Sequence, residues 1–567
     1  MAKSEFMEII DCDLLCIGGG AAGATAAVTA ARDGFKVIVV DKSFISYGNT
    51  RIAGGIIASR NNDDDNAEKF YDDIRAGGAY LNDPELVWTL AESLPEAISE
   101  IEEWGHRFIR MDSNANHLHF IKVGGHSTAR TLLSPNKGRS LSHILKFALL
   151  NCDAQLLEET SVLSLITRDG MVLGAICLRL RDGCIIAIRA AKTLIASGGA
   201  GMLYYPHTDN MNGAVGDGFA LALEAGAELI DMELFQYLPF ALAYPLDMTG
   251  IAIGDPANAG PYGVLRDKDG EILNDKVYLS TRNETSKMIS EAIQNGRGSK
   301  NGGVFLDLRQ NRHYPDGEAA FRVSQEMGMY EILLKAYGKA AAEWQEMFEV
   351  RPTVHFTLGG IKINKHGQSD VNNLYAIGEA AGGIHGADRL GSVALAECLV
   401  FGIRAARHAC GTLYEKISKS DFYAVANEDI NTYTSLERTS GNKISLFYLK
   451  TRLIKLMNEY ASVFRNKAGL EKALHDIRRL QHLSKTVGLT YADSYLSLLH
   501  SIELGFMLDT AEAVIISALE HKDSVGMHNR TDYPDAAKGL KTIVVKKAKG
   551  NGLQVKVSER EGENHAG

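Results

Sequence analysis

The chain has 567 residues, 45% of them apolar and 23% charged, with a formal net charge of −10. That length holds two or three domains with sizeable cores, and without a basic stripe the charge balance gives no reason to expect a nucleic-acid partner. No uninterrupted apolar run approaches the ~18 residues that a membrane helix needs, and the seven cysteines are scattered singly, without zinc or iron–sulfur spacing. No metal and no signal peptide are therefore expected, and a reducing cytoplasmic setting is the simplest one.

In chain order, Cys12–Ile17 reads as a buried strand and is followed at once by Gly18-Gly19-Gly20-Ala21-Ala22-Gly23. Ala24–Asp33 reads as an alanine-rich helix ended by Gly34, and Lys36–Val40 as a second strand running into Asp41. Together they form one βαβ unit of about 30 residues. Between 156 and 198 lie β-like runs such as Ile185–Ile188 and Thr193–Ala196, ahead of Gly198-Gly199. A polar region bearing proline and glycine, from 240 to 350, reads as an inserted α+β domain. Strands and glycines resume at 355–400, and 405–525 is mostly helical in period. Thr542–Val545 is β-like, and Glu559–Gly567 is expected to be a disordered tail.

The glycine cluster has a physical use at each position. Gly18 permits the tight turn out of the strand, Gly20 lets backbone approach a pyrophosphate, and Gly23 lets helix and strand pack closely. The helix N-terminus then offers free N–H groups and a positive dipole to phosphate. Asp41, 23 residues after Gly18, can accept hydrogen bonds from a ribose diol. Three later segments return to the same place: Asn49 to Gly54-Gly55, Ser197-Gly198-Gly199, and Leu374 to Gly382 with Glu379 at its turn. A nicotinamide dinucleotide needs only the first unit, so the repeated returns favour the longer FAD.

With these segments in hand, the chain resembles the flavoprotein subunits of succinate dehydrogenase, fumarate reductase, L-aspartate oxidase and adenylylsulfate reductase. The resemblance runs from about residue 10 to 535 and rests on collinear motifs. They include Val215-Gly-Asp217-Gly218, Asp231–Tyr237, Val304–Arg309, His355–Gly360, Gly386–Leu390, Glu397–Gly402 and Asp523–Pro534. It implies an α/β fold: a Rossmann-like FAD-binding domain in two parts (1–238 and 353–408), an inserted α+β capping domain (239–352), a helical domain (409–535) and a C-terminal extension (536–567). It also implies that Gly18, Gly20, Ala22, Gly23, Asp41 and Lys42 hold the adenosine-diphosphate half of FAD. Asn49, Gly54, Gly55, Ser197, Gly198, Gly199, Asp217, Glu379, Ser392, Ala394 and Leu395 would line the rest of the cofactor.

By the same resemblance, hydride passes between a substrate carbon and flavin N5. Arg282 would shuttle a proton, while Arg389 and His355 would grip a substrate carboxylate; a guanidinium fork suits that task. The family follows its proton-shuttling arginine with aspartate, where this chain has Asn283; Glu284 and Glu291 are the acids near Arg282 in sequence. His126, in Gly124–Arg130, could either face the flavin or cap a turn. Two departures bear on function. Leu238 stands where fumarate and succinate enzymes carry a histidine, and Gly48 where covalent members attach FAD. The reading is therefore a non-covalent FAD enzyme that reduces or forms a C=C bond beside a carboxylate, on an organic acid other than fumarate. Sulfur redox chemistry of the adenylylsulfate reductase type and an amino-acid or organic-acid oxidase are the alternatives. An iron–sulfur or ferredoxin-like electron-transfer subunit is expected as partner, which would place the chain at the inner face of the membrane.

Overall fold

Apolar residues on both faces put Phe6–Ile17 (β1) at the centre of a sheet, as expected of a parallel strand covered by helices. The computed structural model describes residues 6–60, 64–111, 114–412, 416–434, 445–487, 495–534, 540–548 and 552–559. The glycine cluster leads into Ala21–Arg32 (α1), which returns to Val37–Val40 (β2), parallel to β1. Gln155–Leu157 (β3) adds a further parallel strand beside β2. A meander of Thr160–Arg168 (β4), Met171–Arg179 (β5) and Cys184–Ile195 (β6) runs back to pair parallel with β1. The two β-like runs expected within 185–196 are thus one strand. Arg189 lies between them, and its Nε donates to Asp11 at 2.6 Å.

The chain leaves this sheet through Phe235–Leu242 (β7) and re-enters through Phe348–Thr357 (β8). The two pair antiparallel at the heart of a six-stranded sheet. Phe235, Tyr237 and Val354 pack into the main core, whereas Phe240, Leu242, Phe348 and Val350 belong to a second core. One strand pair therefore spans two hydrophobic clusters, so the inserted unit stays tied to the sheet that carries it. Arg282–Gln294 (α2) lies across β7 and β8.

Leu374–Ala376 (β9) returns to the first sheet beside β6, and Val393–Gly411 (α3) follows. α3 packs against α1 closely enough that a Cβ on Gly402 would lie 2.9 Å from Thr25. Lys419–Thr434 (α4), Leu446–Tyr460 (α5), Lys467–Val487 (α6) and Tyr495–Glu520 (α7) form the helical region. α7 buries residues around its circumference, the pattern of a central helix. Lys541–Lys547 (β10) and Leu553–Glu559 (β11) form a hairpin, and β10 pairs with Leu229–Ile230. Glu559 thus closes a strand rather than opening a tail, and 560–567 lie outside the described residues. Among the described residues no helix is long and apolar enough to cross a membrane.

Glu397 sits on α3 with no solvent exposure and accepts a hydrogen bond from the Gly378 N–H at 2.9 Å. Burial pushes its carboxyl up to about 8. A folded-state value above the unfolded one means that stability falls as pH rises from about 4.5 to about 8. Glu397→Gln should remove that slope. Melting temperatures across this range are expected to diverge progressively in favour of the variant; parallel curves would refute the buried-carboxyl assignment.

Candidate active site

The glycine loop is shaped by close approach. Gly18 has φ +101°, and a Cβ there would lie 2.4 Å from the Ala196 carbonyl. A Cβ on Gly23 would lie 2.0 Å from the Gly18 carbonyl. Gly20 begins α1 without a side-chain cap, so apart from Ala21, which donates to Thr50 Oγ1, the first-turn amides at Ala22 and Gly23 are open to an anion. Asp41 accepts from the N–H groups of Gly19 and Ser43, each at 2.8 Å. Its carboxylate therefore braces the loop. Burial pushes that carboxyl up, against the two N–H groups that lower it.

The side chains of some other expected cofactor residues are engaged by protein groups. The Lys42 ammonium is held by Asp217 at 2.8 Å and Glu503 at 3.0 Å, so Lys42 and Asp217 bind each other and tie the first sheet to α7. The Asn49 side chain is engaged by Asn210 and by the Met211 N–H, which makes it a loop brace. Gly54 has open space beyond its Cα, whereas a Cβ on Gly55, at φ +69°, would strike Lys137 at 2.3 Å. Ser197 Oγ is buried without a partner beside Gly218. Gly198 has φ +81° and faces open space, and Gly199 abuts Glu379. Glu379 accepts from the Thr357 N–H at 2.9 Å, and burial pushes its carboxyl up. Ser392 turns with φ 63° into α3, whose first turn at Ala394 and Leu395 again lacks a side-chain cap. Two uncapped helix N-termini, a cramped glycine loop and an orphaned serine hydroxyl fit a long anionic cofactor such as FAD.

His126 is buried and stacks on Phe70 at 6.2 Å, with Nε2 2.9 Å from the Gly391 carbonyl. It is a brace for the turn that starts α3.

The three residues expected to do chemistry converge. Arg282 opens α2 and reaches across to the Gly391 turn, with Nη2 3.7 Å from where a Gly391 Cβ would stand. Its Nε and Nη2 donate to the two oxygens of Asp255 at 2.8 and 2.6 Å. Neither nearby glutamate plays that part; Glu284 instead closes the capping box with Thr281. Burial raises the Asp255 carboxyl, but the Arg282 charge outweighs it and holds the group below the usual carboxylate range. Sequence reasoning missed Asp255 because it lies 27 residues upstream, in a segment that departs from the family pattern. His355 Nδ1 lies 2.7 Å from Asp209, which leaves Nε2 for a ligand.

Arg389 is the anomaly. It is only 7% exposed, its Nε is buried without a partner, and Nη1 donates only to the Leu390 carbonyl at 3.1 Å. Its guanidinium lies over Phe356 at 5.2 Å. Asp388 is occupied by Gln236, and among the described residues no ion pair to Arg389 forms. Burial, with the Arg282 charge adding, lowers the guanidinium to about 10. The nearby carboxylates Asp388, Asp255 and Glu379 act against that shift without touching the guanidinium, and a buried cation with no carboxylate in contact is costly unless a ligand supplies one. Leu238, on β7, is buried opposite Thr353 and contributes no polar group.

The family described as "FAD binding domain" matches residues 13–395, and that described as "Fumarate reductase flavoprotein C-term" matches 450–563. The chain is 33% identical over 538 residues to one of the subunits of the fumarate reductase (CoM/CoB) from Methanothermobacter marburgensis, covering 93% of this chain and 95% of that protein. It superposes on an E. coli quinol fumarate reductase chain with a TM-score of 0.86 at 28% identity, covering 97% of each. An adenosine-5-phosphosulfate reductase in complex with sulfite shares the fold at a TM-score of 0.77 and 17% identity, covering 98% of each.

Replacing Arg389 separates affinity from stability. A charge-assisted hydrogen bond of ~1.5–3 kcal/mol corresponds to roughly a 10- to 100-fold change in affinity. Arg389→Gln should raise the KM for substrate by about that factor, while the ligand-free protein melts no lower than the parent. A clear loss of stability without a KM effect would mean that Arg389 is a structural residue.

Proposed function

The chain belongs to the FAD-dependent oxidoreductase family of the fumarate reductase and succinate dehydrogenase flavoproteins, and from that premise we propose that it reduces, or in reverse forms, a C=C bond next to a carboxylate. The observation that carries the proposal is Arg389, buried with no carboxylate in contact, beside the Arg282–Asp255 pair. FAD is its cofactor, and when bound it supplies hydride to the substrate carbon. Arg389 and Nε2 of His355 take the substrate carboxylate, which draws electron density from the adjacent double bond.

Arg282 completes the addition. Nε and Nη2 are engaged with Asp255, so Nη1 is the nitrogen left to donate a proton to the second carbon. A neutral guanidine is a strong base and regains a proton at once through Asp255. The Asp255 side chain is 32% exposed, which gives water a route to the pair. Asp255 thereby supplies the relay acid that Asn283 does not.

Leu238 supports a substrate with one acidic end and one apolar end, rather than fumarate. We further propose that FAD is held non-covalently, because Gly48 offers no nucleophile. An iron–sulfur or ferredoxin-like protein is the expected electron partner, as suits a chain whose relatives are named as subunits of larger enzymes. Such a partner would hold the chain at the inner face of a membrane.

Asp255→Asn keeps the shape but removes the relay. Loss of positioned acid–base catalysis costs about 10²- to 10⁴-fold. The variant should lose kcat in that range with KM within about threefold, measured with a reduced dye as electron donor. Unchanged kcat would refute the relay. Acid precipitation of the holoenzyme should leave all yellow colour in the supernatant, and flavin retained in the pellet would refute non-covalent attachment.

A further inference from the structure

A second cavity, of about 200 Å³, opens where the capping unit, β8 and the helical region meet. Its walls include His207, Ile293 and Gln294 of α2, Arg351 of β8, and Asn458 and Glu459 at the end of α5. None of Arg282, Asp255, His355 or Arg389 lines it. Three side-chain polar atoms of its lining residues are buried without partners: Nε of Arg351, Nδ1 of His207 and the Tyr237 hydroxyl. Among the described residues no carboxylate forms an ion pair with Arg351, although Glu459 borders the same space. Burial lowers the Arg351 guanidinium to about 10, and burial together with the Arg351 charge lowers the His207 imidazole to about 3. The wall therefore presents one cation and one neutral imidazole, whose free ring nitrogen can donate.

We propose that this cavity is a second binding site, for a small monocarboxylate whose carboxylate is gripped by Arg351 Nε and His207 Nδ1 and whose tail lies against Ile293. Its size is below that of pockets for drug-sized ligands, as a metabolite of a few carbons requires. A single guanidinium matches a single negative charge, and Glu459 disfavours a second. The site is independent of the substrate clamp. Its ligand bridges the C-terminal half of α2 to the helical region, and α2 carries Arg282 at its other end.

The test uses FAD-loaded Arg389→Gln protein, so that the substrate clamp is weakened, titrated calorimetrically with sodium propionate. One equivalent is expected to bind, with affinity falling at least tenfold in R351Q/R389Q and in H207F/R389Q. Flavin absorbance and circular dichroism report folding. His207→Phe provides the decisive variant if the Arg351 substitution does not fold. Three results would overturn the proposal: no propionate binding to R389Q, equal affinity in folded double variants, or phosphate binding as tightly as propionate.

Discussion

Two guanidinium groups, Arg282 and Arg389, share one buried wall, and only Arg282 has a carboxylate of its own. That imbalance organises the site. Positive charge is tolerated in a low-dielectric interior when a partner arrives to neutralise it. Arg282 has Asp255, held by two hydrogen bonds across the capping unit. Arg389 has a backbone carbonyl and an aromatic face but no ion pair, which is why the proposal gives it the substrate carboxylate. The dinucleotide architecture supplies the setting, because α3 starts immediately after Arg389, at the Gly391–Ser392 turn.

The capping unit and the two-part sheet are joined by β7 and β8, which run through both cores. His355 lies on β8, Leu238 on β7 and Arg282 on the helix across them. A short stretch of sheet thus fixes the positions of the three side chains to which the proposal gives substrate holding, substrate polarity and proton transfer. Lys42, Asp217 and Glu503 play the corresponding part for the cofactor half, linking the first βαβ unit to the central helix of the helical region.

Much of this was legible in the sequence. The βαβ unit announced itself through contiguous apolar runs and glycines, of which Gly18, Gly19 and Gly23 have contacts too close for a side chain. Arg282, His355 and Arg389 were identified by motif, and the structure brings the first and last to one turn. What was not legible is pairing across the chain. Asp255 belongs to a divergent segment, and nothing in its local pattern points to Arg282. Lys42 and Asn49 sit in a stretch expected to hold the cofactor, and their side chains are engaged with distant protein groups. The C-terminal hairpin looked like an appendage because its partner, Leu229–Ile230, lies over 300 residues earlier and spans two residues.

The proposed single-guanidinium clamp, together with the apolar Leu238, makes a definite demand on the substrate. The direct measurement is kcat/KM of the holoenzyme, driven by a reduced dye, across α,β-unsaturated acids with one carboxylate and with two. Monocarboxylates with an apolar far end are predicted to be the best substrates, with fumarate well behind them. Fumarate as the best substrate in the series would contradict the single-carboxylate clamp.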